Sequence, residues 1–207
     1  MVTSSCAFCY SDKLCKSENG HCMVDCPTCT QEALAEEARV RYADGENHLF
    51  FLNSLRQVSA SHIIDENGKP TPCKTRAEEI IDFCKRMNYK KVGLAFCAAF
   101  DKQANCFAQM LLDNGFDVVS IICKVGGIEK EDVGLEMESK VIPQRREITC
   151  NPIEQAMILN EANTEFNIML GLCVGHDSLF LKTSNAMCTV LAVKDRVNNH
   201  DPLKAFE

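Results

Sequence analysis

The chain has 207 residues, a formal net charge of −7 and 46% hydrophobic residues. That length and apolar content allow a sizeable core, in one main domain with an appendage. The negative charge disfavours a nucleic acid or an anionic membrane surface as partner. Met1-Val-Thr-Ser-Ser-Cys6 has neither the basic region nor the apolar core of a signal peptide, and no apolar run approaches the roughly 18 residues of a membrane span. The expectation is a soluble cytoplasmic protein. Fourteen cysteines are then an anomaly, because in a reducing compartment clustered cysteines more often hold metal or do redox chemistry than form disulfides.

Cys6, Cys9, Cys15, Cys22, Cys26 and Cys29 fall within residues 6–29, beside few large apolar side chains. Such a segment cannot pack a core of its own, so bound metal would have to order it. Cys6-x2-Cys9 and Cys26-x2-Cys29 are separated by sixteen residues, inside the spacing window of a structural zinc site. Four thiolates suit zinc and an iron–sulfur centre equally well. Cys15 and Cys22 leave the ligand set open. A helix capped by Thr30 is expected to run to about Tyr42, and Leu49, Leu52, Leu55 and Val58 repeat at a helical spacing. The turn formers of 65–72 end this helical connector, 30–72.

From residue 73 the pattern alternates. Thr75-Arg-Ala-Glu78 matches a capping box ahead of a helix lined by Ile80, Ile81, Cys84 and Met87. Strand 91–97 follows, then a helix from Asp101 to Asn114-Gly115, strand 117–123, and a charged, weakly patterned loop over 128–149. Asn151-Pro152-Ile-Glu154 opens the next helix with an N-cap and a proline at its first position. Strand 166–172, a helix over about 177–183 and strand 189–193 complete the series. This predicts an α/β fold over 73–207: a doubly wound, Rossmann-like, mostly parallel sheet behind the cysteine-rich metal-binding segment 1–29.

Three of the strands end on cysteine: Cys97, Cys123 and Cys173. Ligands of open α/β sheets sit beyond the carboxyl ends of the strands, and Cys150 precedes a helix start that belongs at the same edge. A helix N-terminus favours a thiolate. Each cysteine alone is unremarkable, since cysteine is commonly buried, but the four together predict a cofactor site, of the iron–sulfur kind and most simply [4Fe–4S]. His176-Asp177 follows Cys173 closely, as ligand, proton donor or orienting pair, or else as a helix cap with a solvated imidazole. Lys124, Lys194, Arg196 and His200 would ring the cleft with cations and suit an anionic ligand or cluster, although a solvated face accounts for Lys194 and Arg196. Cys73, Cys84, Cys106 and Cys188 read as structural.

The segments Cys-Lys-Val-Gly-Gly (123–127), Cys-Asn-Pro-Ile-x-Gln-Ala (150–156), Gly-Leu-Cys-Val-Gly-His-Asp (171–177) and Val-Lys-Asp-Arg-Val (193–197), behind a cysteine-rich start, resemble the family catalogued as domain of unknown function 1847, found mainly in anaerobic bacteria and archaea. The resemblance implies metal or iron–sulfur binding and supplies no reaction. Its amino-terminal pattern maps onto Cys6, Cys9, Cys15 and Cys26-Pro27. The sequence thus leads to a metalloprotein with two cysteine-ligated centres, served by a redox partner or a small-molecule substrate. The rival is a non-enzymatic scaffold, carrier or sensor with one amino-terminal zinc.

Overall fold

The structure, a computed structural model, describes residues 6–9, 15 and 25–207, and the chain divides into two compact units, 1–56 and 57–207. In the first, a tight turn closes each described cysteine pair. The Cys9 N–H donates to the Cys6 carbonyl at 3.2 Å, and the Cys29 N–H to the Cys26 carbonyl at 3.0 Å. A helical turn, Pro27–Thr30, precedes helices α1 (Glu32–Tyr42) and α2 (Gly45–Ala60). Thr30 does not cap α1 as expected: its hydroxyl donates back to the Cys26 carbonyl at 3.0 Å, and α1 begins after Gln31. Helix α1 buries no residue. Tyr42 stacks on Phe51 of α2 with ring centroids 4.0 Å apart.

The second unit opens on an antiparallel pair, β1 (His62–Ile64) with β2 (Pro70–Pro72), in a stretch expected only as a turn-rich boundary. Asp65 makes this possible, because its carboxylate accepts the N–H groups of Asn67 and Lys69 at 2.9 and 2.8 Å and folds the turn between the strands. Helix α3 (Arg76–Arg86) carries the predicted capping box: Thr75 and Glu78 each satisfy the other's backbone N–H. Its inner face buries Ile80, Ile81, Phe83 and Cys84.

Four parallel strands form the sheet in the order β4-β3-β5-β6: β3 (Lys91–Phe96), β4 (Asp117–Ile122), β5 (Phe166–Leu170) and β6 (Met187–Ala192). Between them run α4 (Asp101–Asp113), α5 (Pro152–Glu161) and α6 (His176–Thr183). The chain leaves β3 toward β4, then crosses back to β5 on the other flank, so the order reverses between β3 and β5. Ala95 and Met169, level with each other across that pair, pack with Ala156, Leu159 and Phe180 of α5 and α6. Their strand neighbours Leu94 and Ile168 are also fully buried. Successive strand side chains point to opposite faces, so both faces are covered. Among the described residues no helix is long and apolar enough to cross a membrane.

The loop from 128 to 149 is ordered by its own charges. Thr149 N–H donates to the Ile128 carbonyl at 2.8 Å and Lys130 N–H to the Glu147 carbonyl at 3.0 Å, closing the base of the loop. Lys130 pairs with Glu147, Arg146 with Glu129, and buried Lys140 with Glu131 and the Arg145 carbonyl. Lys130, Glu147 and Lys140 are largely shielded from water, whereas Arg146 pairs at the surface.

Buried Asn167 of β5 accepts from Thr164 and donates to Ser184, both at 2.8 Å. Gly93 of β3 leaves room for it: a Cβ there would stand 2.0 Å from Asn167 Oδ1. Gly93→Ala is therefore expected to destabilise the protein by about 2–3 kcal/mol, read as a lower urea midpoint with an unchanged m-value. An unaltered midpoint would show that Asn167 gives way freely.

Candidate functional site at the carboxyl edge of the sheet

Register decides where the sulfurs go. Phe96 is level with Ile122 on one side and Leu170 on the other, and the ladder continues one residue further. Cys123 N–H donates to the Phe96 carbonyl at 2.8 Å, and Cys97 N–H to the Leu170 carbonyl at 3.0 Å. Cys97 and Cys123 thus leave adjacent strands side by side. Asn151 N–H donates to the Cys123 carbonyl at 2.8 Å, and the Asn151 side chain caps α5 by accepting from Glu154 N–H at 3.1 Å. This pins Cys150 over the same spot. The Cys150 and Cys123 sulfurs are 3.8 Å apart, and Cys123 also acts on the titration of Cys97 beside it.

Gln155, one turn into α5 and fully buried, fastens the helix to both strand exits. Its Nε2 donates to the Ile121 carbonyl at 2.8 Å and to the Phe96 carbonyl at 3.3 Å. Its Oε1 is buried without a donor. Beside the trio, the Phe100 ring fills the space over Gly171 (φ +66°), where a Cβ would overlap it at 2.0 Å. Lys194 Nζ sits 4.5 Å from the centre of that ring, and its charge acts on Cys97.

The electrostatics of these thiols differ from those of a buried core cysteine. Burial alone pushes the Cys84 thiol up to about 12. At the rim, the hydrogen bond from Cys123 outweighs desolvation and lowers both Cys97 and Cys150. The Ala99 N–H and Lys194 assist at Cys97, and the charges of Lys124 and His176 assist at Cys150. Cys123, between them, is raised and keeps its proton, despite the Ala98 N–H that donates to it at 3.3 Å. The group is a shared-proton cluster of three sulfurs ringed by cations.

Cys173 lies three residues beyond Leu170, the last paired position of β5. Arg196 Nη2 donates to its sulfur at 3.3 Å. Cys150, Cys173, His176, Lys124 and Arg196 line one cleft of about 1000 Å³. His176 Nδ1 is buried without a partner. Asp177 sits in the first turn of α6 with its carboxylate accepting the next N–H, from Ser178, at 2.8 Å, and Gly175 occupies the cap position. Lys194 and Arg196, expected to be solvated, instead reach sulfur. Their signal in the sequence was their spacing, since alternate residues of an extended segment share a side. Nothing local in the sequence marked Gln155 or Phe100 as neighbours of the cysteines.

At the other end of the chain, Cys6 and Cys15 are exposed thiols, Cys9 and Cys26 partly covered ones, and Cys29 is disulfide-bonded, so its sulfur is not a thiolate in this form. Cys22 lies outside the described residues. Among the described residues, no group of three or more His, Cys, Asp or Glu side chains is already drawn into ion-holding geometry.

In metal-free, reduced protein, the Cys150 thiolate persists above about pH 5 because its pKa is depressed to that value. Its alkylation by iodoacetamide, followed by peptide mass spectrometry, should stay level between about pH 8 and pH 6, where a free thiol slows about tenfold per unit. A free-thiol profile would remove the shared-proton description.

Two comparisons bear on this geometry. An uncharacterized protein of Methanocaldococcus jannaschii, MJ0455, is 49% identical over 133 residues, which cover 64% of this chain and 67% of that one. The second match runs over residues 26–191, so it contains Cys97, Cys123, Cys150 and Cys173 and begins after Cys6, Cys9 and Cys15. By that match the chain belongs to the family described as protein of unknown function DUF1847.

Proposed function

We propose that the protein is a thiolate metalloprotein in which Cys97, Cys123 and Cys150 hold one soft ion, zinc or iron, at the carboxyl edge of a doubly wound, Rossmann-like sheet. The observation that carries this is the 3.8 Å between the Cys123 and Cys150 sulfurs. Two thiolates on one tetrahedral ion, with metal–sulfur bonds of about 2.3 Å, stand about 3.8 Å apart. A [4Fe–4S] cluster asks for wider spacing, because each ligand sulfur rides on a different iron. The hydrogen bonds that now join the trio are the ones an ion would replace, since thiolate ligation releases the protons.

Cys173 and His176, on the same cleft as Cys150, are the residues proposed for the remaining position. With that position exchangeable, the ion supplies Lewis-acid chemistry toward a small-molecule substrate. His176 is then the nearest acid or base, and Asp177 fixes the first turn of its helix. The knuckle turns of Cys6/Cys9 and Cys26/Cys29 support a second thiolate site, held by Cys6, Cys9 and Cys26 with Cys15, Cys22 or, once reduced, Cys29 as fourth ligand. The rim comes first in this reading because Cys97, Cys123 and Cys150 all lie inside the family match.

The test is elemental analysis of the full chain purified anaerobically, with acid-labile sulfide measured in parallel. Cys123→Ser is expected to lower bound zinc or iron by about one ion per chain without loss of sulfide. In cobalt-substituted protein it should also remove the rim ion's share of the thiolate-to-cobalt charge-transfer intensity, leaving that of the amino-terminal site. Iron and sulfide lost together would instead mark a cluster and a redox partner. Metal content that ignores Cys123→Ser, while Cys26→Ser lowers it, would leave only an amino-terminal structural site.

A further inference from the structure

We infer that the cleft beside the sulfur cluster binds a small amphipathic organic anion, its carboxylate or phosphate head held by Arg145 and Arg196 and its apolar body laid against Val133, Val141 and Ile142. The inference rests on the proposed function only in placing activity at this rim, and it names the class of substrate the rim would serve.

Charge is the first ground. The chain is acidic overall, at −7, yet this cleft is lined by Lys124, Lys130, Arg145, Arg146, His176 and Arg196 against Glu147 as the one carboxylate. Some of those cations are already engaged. Lys130 pairs with Glu147 and Arg146 with Glu129, and Lys124 and His176 act on Cys150. Arg145 is different: among the described residues its guanidinium has neither a carboxylate nor a sulfur partner, although its backbone is held by Ile142 and Lys140. Arg196 spends one N–H on Cys173 and keeps the rest of its planar fork, the geometry that reads carboxylate and phosphate.

The apolar lining is the second ground. Val133, Val141 and Ile142 line the same cleft and are 61, 84 and 47% exposed, on a loop whose conformation is already fixed by buried Lys140 and its partners. A loop held this firmly gains nothing from presenting three branched apolar side chains to water. A volume of about 1000 Å³ suits a small molecule, not a bare ion. His176 Nδ1, buried at this cleft without a partner, adds an unsatisfied polar atom.

The experiment is ligand-observed NMR titration of the full chain with heptanoate, heptyl phosphate, heptanamide and inorganic phosphate, with metal content measured on every sample. Heptanoate or heptyl phosphate should bind at least about tenfold more tightly than heptanamide, which lacks the charge, and than phosphate, which lacks the chain. Whichever of the two binds better identifies the head group. Arg145→Gln should weaken that probe about tenfold, with Arg145→Lys partly restoring it, and Val141→Asp should weaken it without unfolding the protein. Equal binding of heptanamide, or indifference to both Arg145→Gln and Val141→Asp, overturns the inference. Arg145→Gln leaves the metal-to-protein ratio untouched, whereas Cys123→Ser is expected to change that ratio and spare the probe. Each variant therefore reports on one proposal alone.

Discussion

Strands β3, β4 and β5 run in one direction and are bonded residue for residue, and a parallel array has a single carboxyl edge. The pairing of Cys97 with Cys123 at one rim follows from that directionality. The register that sets Phe96 level with Ile122 and Leu170 obliges the next residues, among them Cys97 and Cys123, to emerge together. A slip of one residue would turn the whole side-chain set of a strand to the other face, so the buried apolar positions that fix the register also fix the sulfurs. The third sulfur arrives by a different route. Cys150 is placed by a helix start, and that start is tied to the sheet through Asn151 and Gln155.

What separates these thiols from an ordinary core cysteine is the company of donors, not depth. Cys84 and Cys123 are both almost completely buried, and both keep their protons, but Cys84 does so through desolvation and Cys123 because two neighbouring sulfurs compete for its hydrogen. The cations at the rim stabilise the negative charge left on Cys97 and Cys150. A region of the molecule that concentrates thiolate and cation in this way is expensive to maintain for packing alone, since a hydrophobic side chain would fill the same volume with no charge to desolvate.

The parts of the fold written in local chemistry were legible beforehand. Thr75 with Glu78, and Asn151 ahead of Pro152, announce helix starts through hydrogen bonds made within four residues, and the apolar strand runs announce themselves by length. Convergence of the strand-end cysteines followed from topology alone. The hairpin at 62–72 escaped because strands of three residues carry no readable alternation, and its turn depends on the Asp65 carboxylate. Cys173 emerges further along: β5 pairs only to Leu170 and the chain turns at Gly171, which carries this residue two positions beyond the level of Cys97 and onto the cleft that Cys150 also lines. The alternate spacing of Lys194 and Arg196 puts them on one side, but nothing local pairs Arg196 with Cys173, 23 residues away.

The closed base of the loop between β4 and α5 carries a consequence for how such proteins can diversify. Because Thr149 is bonded to Ile128, and Asn151 to Cys123, the two ends of the excursion meet before it begins. Lengthening the tip adds only a slowly growing closure entropy and transmits no displacement to the cysteines at its foot. A lineage could therefore exchange the tip for one of another size or polarity while inheriting the cysteine cluster at its foot unaltered.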